Sequence, residues 1–129
     1  MENHVLLDVK NLSVKFKTLD GVVTAIENIS FQVNRGEVLC LVGESGCGKS
    51  LTSLSVMGLV EKPGIARAGA IVFDGEDIAG YSQEQMRKIR GDKLSMIFQE
   101  PLTSLNPLFT VGNQMDEVFR LHMGMNRAQ

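Results

Sequence analysis

The run Leu39-Cys40-Leu41-Val42-Gly43-Glu44-Ser45-Gly46-Cys47-Gly48-Lys49-Ser50 sets an apolar stretch directly before G-x-x-x-x-G-K-S, the residue order of a nucleoside triphosphate cradle. Gly43, Gly46 and Gly48 let the backbone curl tightly, so that successive N–H groups turn toward an anion. In that arrangement Lys49 reaches the β- and γ-phosphates, and the Ser50 hydroxyl ligates Mg²⁺. A helix opening near Lys49 adds its N-terminal dipole at the same place. The competing interpretation, a glycine-rich turn that merely joins a strand to a helix, is disfavoured because the strand and helix patterns are both in register with the motif. The motif therefore predicts binding of ATP or GTP.

Hydrolysis requires a second acidic element, typically an apolar strand ending in Asp that orients the Mg²⁺ shell, with a neighbouring carboxylate acting on the attacking water. Ala70-Ile71-Val72-Phe73-Asp74-Gly75-Glu76 imitates such a strand. Asp74-Gly75 is, however, a strong turn dipeptide, and Glu76 to Ile78 reads as the second strand of a short hairpin. Leu94 to Glu100 is a second imitation, with Gln99 where Asp is needed. On its residues alone, the chain carries a nucleotide-binding half without the hydrolytic half.

The elements that must position this loop read as strands first, then strand and helix in alternation. Leu6 to Phe16, Val22 to Ile26 and Ile29 to Val33 have extended character around the turn signal Asp20-Gly21, which predicts an antiparallel N-terminal layer. Glu37 to Val42 is an uninterrupted apolar run of the kind a strand buried on both faces requires. Lys49 to Val60 is expected to be a helix with Leu51, Leu54, Met57 and Leu59-Val60 on its apolar face, ended by Gly58 and Pro63-Gly64. Ser82 with Gln85 forms a capping box for a short helix through Ile89. The cations Arg87, Lys88, Arg90 and Lys93 read as a solvated face that complements the helix C-terminus. Leu94 to Phe98 is expected to be another strand and Gln99 to Pro107 a polar loop. Thr110 caps a helix with Val111, Met115, Val118, Phe119 and His122 on one face.

Composition limits the function classes. With 129 residues, 43% hydrophobic and 22% charged, the chain can form one ordinary globular domain, and its net charge of −2 argues against nucleic acid as a partner. No apolar run is long enough to span a bilayer, and Met1 to Asp8 has no signal-peptide character, which predicts a cytosolic location. Cys40 and Cys47 suit a reducing compartment, as a small core residue and a permissive loop position.

Phe16, the 43–50 loop, Gly69 to Gly75 and Met96-Ile97-Phe98-Gln99-Glu100-Pro101 follow one another in an order that resembles the N-terminal half of an ABC transporter ATPase subunit. Phe98 to Pro107 followed by Phe109-Thr110-Val111-Gly112-Asn113-Gln114 is similar to the oligopeptide and dipeptide importer group, whose members also import nickel or glutathione. The resemblance implies an α/β P-loop NTPase fold, with an antiparallel β layer beside a partial RecA-like ATPase core. It implies that Gly43 to Thr52 hold ATP, counting Glu44, Ser45 and Cys47 in the loop and Leu51 and Thr52 in the first helical turn. Leu51 stands where many members carry a second hydroxyl, with Thr52 next to it. Phe16 is implied to stack on adenine, and Gln99 to act in catalysis by contacting Mg²⁺ or the attacking water.

The implied partners are a second ATPase subunit, transmembrane permease subunits met by the loop after Gln99 and, indirectly, an extracytoplasmic substrate-binding protein. The implied location is the inner face of the plasma membrane, as a peripheral subunit. Asn126 reads as the N-cap of a further helix, so residues 1–129 are expected to be the N-terminal part of a domain whose signature segment and Asp-Glu strand end lie downstream. By itself such a chain is expected to bind nucleotide without turnover. The other classes considered are a binding-only fragment and an unrelated P-loop kinase or GTPase, for which no base-reading or acceptor motif is present.

Overall fold

The structure is a computed structural model and describes residues 4–126 and 128. The chain forms two compact units, one running to Met86 and the second beginning at Arg87.

In the first unit, β1 (Val5–Thr18) and β2 (Gly21–Asn34) form a long antiparallel hairpin in which Thr18 pairs with Gly21 across Leu19-Asp20. Strict alternation would bury every second residue of β1, yet Val9, Leu12 and Val14 are the ones buried. The change of parity falls at Asn11, which takes a left-handed conformation with φ 53°, opposite Asn28 with φ 50°. Their side chains are hydrogen-bonded, with Asn11 Nδ2 donating to Asn28 Oδ1 at 2.7 Å. The Asn11 N–H donates to Ser30 Oγ and the Asn28 N–H to Ser13 Oγ. This paired irregularity inserts residues into the ladder and returns the apolar set to the core face beyond it. It also explains why the expected strands 22–26 and 29–33 are one continuous β2 with Asn28 between them.

β1 is flanked on its other edge by β3 (Gly64–Arg67) along Ser13 to Phe16 and by β4 (Ala70–Phe73) along Leu7 to Lys10. β4 turns into β5 (Glu76–Asp77) through Asp74, φ 49°, and Gly75, φ 86°, the two positive-φ positions of a type I′ hairpin. The hairpin expected at Asp74-Gly75 is thus present, whereas β3 was not anticipated, because Pro63-Gly64 read only as a helix stop.

α1 (Lys49–Val56) ends four residues earlier than expected, at Met57 and the left-handed Gly58. Of the expected apolar face Met57 is buried, but α1 itself buries Thr52, Ser55 and Val56 rather than Leu51 and Leu54. The reason lies at Gly48, where a Cβ would stand 3.0 Å from Ile26 Cγ1 of β2. Gly48, Thr52 and Ser55 fall at i, i+4 and i+7, so the close approach continues along a face of small residues. Both buried hydroxyls donate to carbonyls one turn back, Thr52 to Gly48 and Ser55 to Leu51.

α2 (Gln83–Ile89) starts with both bonds of the expected capping box: the Ser82 N–H donates to Gln85 Oε1 at 2.9 Å and the Gln85 N–H to Ser82 Oγ at 3.2 Å. In the second unit a 3₁₀ turn spans Pro101–Ser104, and α3 (Val111–Met123) is capped by Thr110 Oγ1, which accepts from the Asn113 N–H at 3.2 Å.

Two expectations are overturned. Residues 37–42 and 94–98 are not strands: Leu94 makes one isolated bridge to Arg90, and Val38, Val42 and Ile97 are 88%, 88% and 90% exposed. A strand buried on both faces needs parallel neighbours at each edge, and no described strand lies beside either run. The apolar face expected on α3 exists in sequence, but Val111, Met115, Val118 and Phe119 are exposed.

Candidate functional site

The glycine loop leads into α1 as the motif requires. Gly46 and Gly48 take φ of 80° and 98°, backbone that a residue with a Cβ adopts only under strain. A Cβ at Gly43 would overlap Cys47 Sγ, so this first glycine is needed for space rather than for its torsion. Lys49 Nζ folds back across the loop and donates to Gly43 O at 2.5 Å and Glu44 O at 2.6 Å, with Cys47 Sγ at 3.5 Å. The Cys47 N–H donates to Glu44 O at 3.3 Å, closing the turn beneath the ammonium.

The start of α1 has no side-chain cap and no acidic residue in its first turn. Helix N-termini normally satisfy their free N–H groups with a Ser, Thr, Asp or Asn oxygen. Here an uncapped helix start follows directly on the loop that the Lys49 ammonium crosses, and a helix N-terminus with a nearby cation has the electrostatics that suit an anion. Of the three glycines only Gly46 faces open space, while Gly43 makes room for Cys47 Sγ and Gly48 for Ile26. Ser50 is exposed one residue into the helix. Among the described residues no group of three or more His, Cys, Asp or Glu could hold a metal ion. The loop fits the way Mg²⁺ is held beside nucleotides, by few protein oxygens and by phosphate oxygens.

Ile26 is the residue that sequence reasoning missed, since it read only as one apolar position of a strand. It holds the loop's exit from below, and the one signal for it was the glycine opposite. Phe16 is half-buried on β1, paired with Val23 and Gly64, and its ring edge occupies the space a Gly64 Cβ would need. Thr52 turns its hydroxyl into α1, while Leu51 is half-buried beside it. Gln99 belongs to the second unit and is exposed just before the 3₁₀ turn.

The acidic residues that imitate a catalytic strand have structural partners instead. Asp74 is ion-paired with Arg35, and Glu76 Oε2 accepts from Tyr81 Oη at 2.7 Å. That hydrogen bond raises the Tyr81 pKa above its usual value. Asp77 is held below the usual carboxylate range, first by the Ala79 N–H and then by the Ile71 N–H, both donating to Oδ1.

The family described as ABC transporter matches residues 26–129, a span that opens on the residue beneath Gly48 and includes the whole phosphate loop. The chain belongs to the ABC transporter family. This ABC protein is similar to an oligopeptide transport ATP-binding protein of Haemophilus influenzae, at 48% identity over 95% of the chain and 38% of that relative. An oligopeptide transport ATP-binding protein of Bacillus subtilis is 47% identical over 91% of the chain and 33% of its own length. A dipeptide transport ATP-binding protein of Escherichia coli is 44% identical over 95% of the chain and 38% of its length. The chain thus spans well under half the length of these curated relatives. The α/β P-loop fold and the importer group implied by the sequence resemblance agree with these matches.

Proposed function

We propose that the chain is the nucleotide-binding portion of an ATPase subunit that drives import of oligopeptides or dipeptides. The observation that carries this reading is Lys49 drawn across a glycine loop whose helix start lacks any side-chain cap. Gly43 to Ser50 would hold the phosphates through backbone N–H groups and the Lys49 ammonium, with Thr52 and Leu51 shaping the first helical turn. Ser50 and Gln99 would hold Mg²⁺, with Gln99 also orienting water, and the Phe16 ring would support adenine. When bound, ATP with Mg²⁺ supplies the phosphoryl group whose transfer to water drives transport.

Among the described residues no helix is long and apolar enough to cross a membrane. The relatives' names join transport to ATP binding, which supports a subunit that pairs with a second ATPase and seats on transmembrane permease subunits at the inner membrane face. An extracytoplasmic binding protein would deliver substrate to the far side. Leu102, Leu105, Leu108 and Phe109, exposed on the segment after Gln99, supply the apolar surface for the permease contact.

The test is reconstitution of the subunit with a peptide permease in vesicles. ATP-dependent uptake of labelled di- or oligopeptide is expected, and ATP binding without uptake of any peptide would overturn the import reading. The chain of 129 residues alone should release no phosphate above background. Steady hydrolysis lost in Asp74→Asn but kept in Gln99→Ala would instead make Ala70 to Glu76 the catalytic strand.

A further inference from the structure

The three glycines of the loop are supported differently. The nearest atoms to a Cβ at Gly43 would belong to Cys47 and Lys49 of the loop itself, and a Cβ at Gly46 would meet nothing within 4 Å. At Gly48 the nearest atoms come from β2: Ile26 Cγ1 at 3.0 Å, Ile26 Cδ1 at 3.4 Å and the Ala25 carbonyl oxygen at 3.6 Å. The loop is therefore open at Gly46 and seated on the hairpin at its exit. Ile26 is itself anchored, being buried and paired with the fully buried Val14 of β1.

Gly48 is also held from the helix side. The buried Thr52 donates both its N–H, at 2.9 Å, and its hydroxyl, at 2.8 Å, to the Gly48 carbonyl. A hydroxyl bonded one turn back is common inside helices. Here its acceptor is the last glycine of the loop and the N-cap of α1, with φ 98° and ψ 9°. Glycine visits many torsions at little cost, so without these contacts a left-handed Gly48 would let the start of α1 swing. Lys49 and Ser50 follow directly, and the torsions of Gly48 set the direction in which the ammonium and the first helical N–H groups are presented. Donors fixed before an anion arrives avoid the cost of reorganising on binding.

We propose that Ile26 and the Thr52 hydroxyl are positioning residues for the phosphate loop, holding Gly48 between β2 and α1 so that the helix start is preset for a nucleoside triphosphate. Neither side chain touches nucleotide in this assignment. Thr52 acts through the Gly48 carbonyl, although the sequence resemblance counts it among the residues that hold ATP. The proposal rests on the nucleotide-binding reading of the loop and names what keeps that loop in shape.

The experiment uses the full-length subunit as wild type, Ile26→Ala, Ile26→Val, Thr52→Val, Val9→Ala and Lys49→Ala. Ile26→Val keeps Cγ1, the atom nearest Gly48, whereas Ile26→Ala loses Cγ1 and Cδ1 together. Val9→Ala removes buried methyl groups where β1 meets Phe31 and Ile71 rather than Ile26, so it controls for lost stability. Binding of a fluorescent ATP analogue should weaken at least about fivefold in Ile26→Ala and about threefold or more in Thr52→Val, and stay within about twofold of wild type in Ile26→Val and Val9→Ala. Hydrogen exchange at the amide of residue 52, which donates to Gly48 O, should speed up at least about tenfold in Ile26→Ala but less than about threefold in Ile26→Val. Unchanged affinity in Ile26→Ala or in Thr52→Val would overturn the proposal, as would a fall in Val9→Ala or Ile26→Val as large as that in Ile26→Ala. Should Ile26→Ala fail to fold, Thr52→Val decides, because it keeps a branched side chain of similar size and loses only the hydroxyl bond to Gly48. Lys49→Ala separates the positioning role from the reading beneath it. Weaker binding in Lys49→Ala with none in Ile26→Ala and Thr52→Val overturns the positioning role alone, whereas wild-type affinity in Lys49→Ala overturns the nucleotide-binding reading and the positioning role with it.

Discussion

Residues 5–34 and residues 37–42 are both rich in apolar side chains, and they end in opposite states. In the first region Val9 and Val14 are 0% exposed and Leu12 is 1%; in the second Val38 and Val42 are 88% exposed. The difference is one of strand partners: β1 pairs with β2 after a two-residue turn and with β3 and β4 on its other edge, whereas no described strand lies beside residues 37–42. A run that is apolar on both faces asks for two flanking strands and a layer on each side. Apolar pattern predicts what a segment needs, and only topology decides whether it gets it.

The sharpest way to break the comparison is to truncate one residue in each region. Leu12→Ala should cost about 2–5 kcal/mol in denaturant unfolding, since it leaves a cavity beside Val9 and Val14. Val42→Ala should change stability by less than about 0.5 kcal/mol, because an exposed side chain leaves no cavity. Equal losses would mean that residues 37–42 are covered in solution.

Directly after residues 37–42 comes the glycine loop, Gly43 to Ser50, which is held by polar groups rather than by burial. Lys49→Ala removes charge-assisted bonds of about 1.5–3 kcal/mol each, so titration with a fluorescent ATP analogue should weaken at least about tenfold. Far-UV circular dichroism should be unchanged, since α1 packs through Thr52, Ser55 and Val56. Affinities equal to wild type would sink the assignment of the loop as the cradle.

The exposed thiol in the same loop gives a smaller effect. Cys47 Sγ lies against Gly43 and 3.5 Å from Lys49 Nζ, so phosphates seated in the loop should shield it from a maleimide. With MgATP at about ten times its Kd, roughly one site in ten is free and labelling should slow about tenfold. Cys40, also exposed but in the apolar run before the loop, should label at an unchanged rate. Protection of both would point to a general change in the first unit rather than to occupancy of the loop.

What was legible in the sequence was whatever is fixed locally. Asp74-Gly75 gave its hairpin, Ser82 with Gln85 gave both bonds of its box, and Thr110 capped α3, because each depends on residues within three or four positions. The left-handed turns at Gly46 and Gly48 and the helix that opens at Lys49 were legible for the same reason. The buried face of α1 was not, since its rotation is set by Ile26 meeting Gly48 from 22 residues away in the chain. β3 stayed hidden because four residues after Pro63 carry little strand pattern and take their extended shape from pairing with β1.

The smallest predicted effect tests whether the short β4–β5 hairpin is held by its own local bonds. Asp77 Oδ1 accepts from the Ile71 and Ala79 N–H groups, and these bonds lower its pKa from the ordinary 3.8. A carboxylate whose folded pKa is depressed contributes stability that is present above its unfolded pKa and is lost as pH falls through the folded value. Asp77→Asn keeps an acceptor oxygen at the same place but cannot become charged. At neutral pH the variant should therefore unfold at slightly lower urea than wild type, because a charged acceptor makes the stronger bond. Urea midpoints of the two proteins should converge as pH drops below 3.8, where wild-type Asp77 takes up its proton. A gap that stays constant across that window would show that the hairpin draws nothing from the charge. In that event β4 and β5 would owe their pairing to β1 and to Ile71 and Ile78 in the core, making the hairpin as dependent on distant partners as residues 37–42 are.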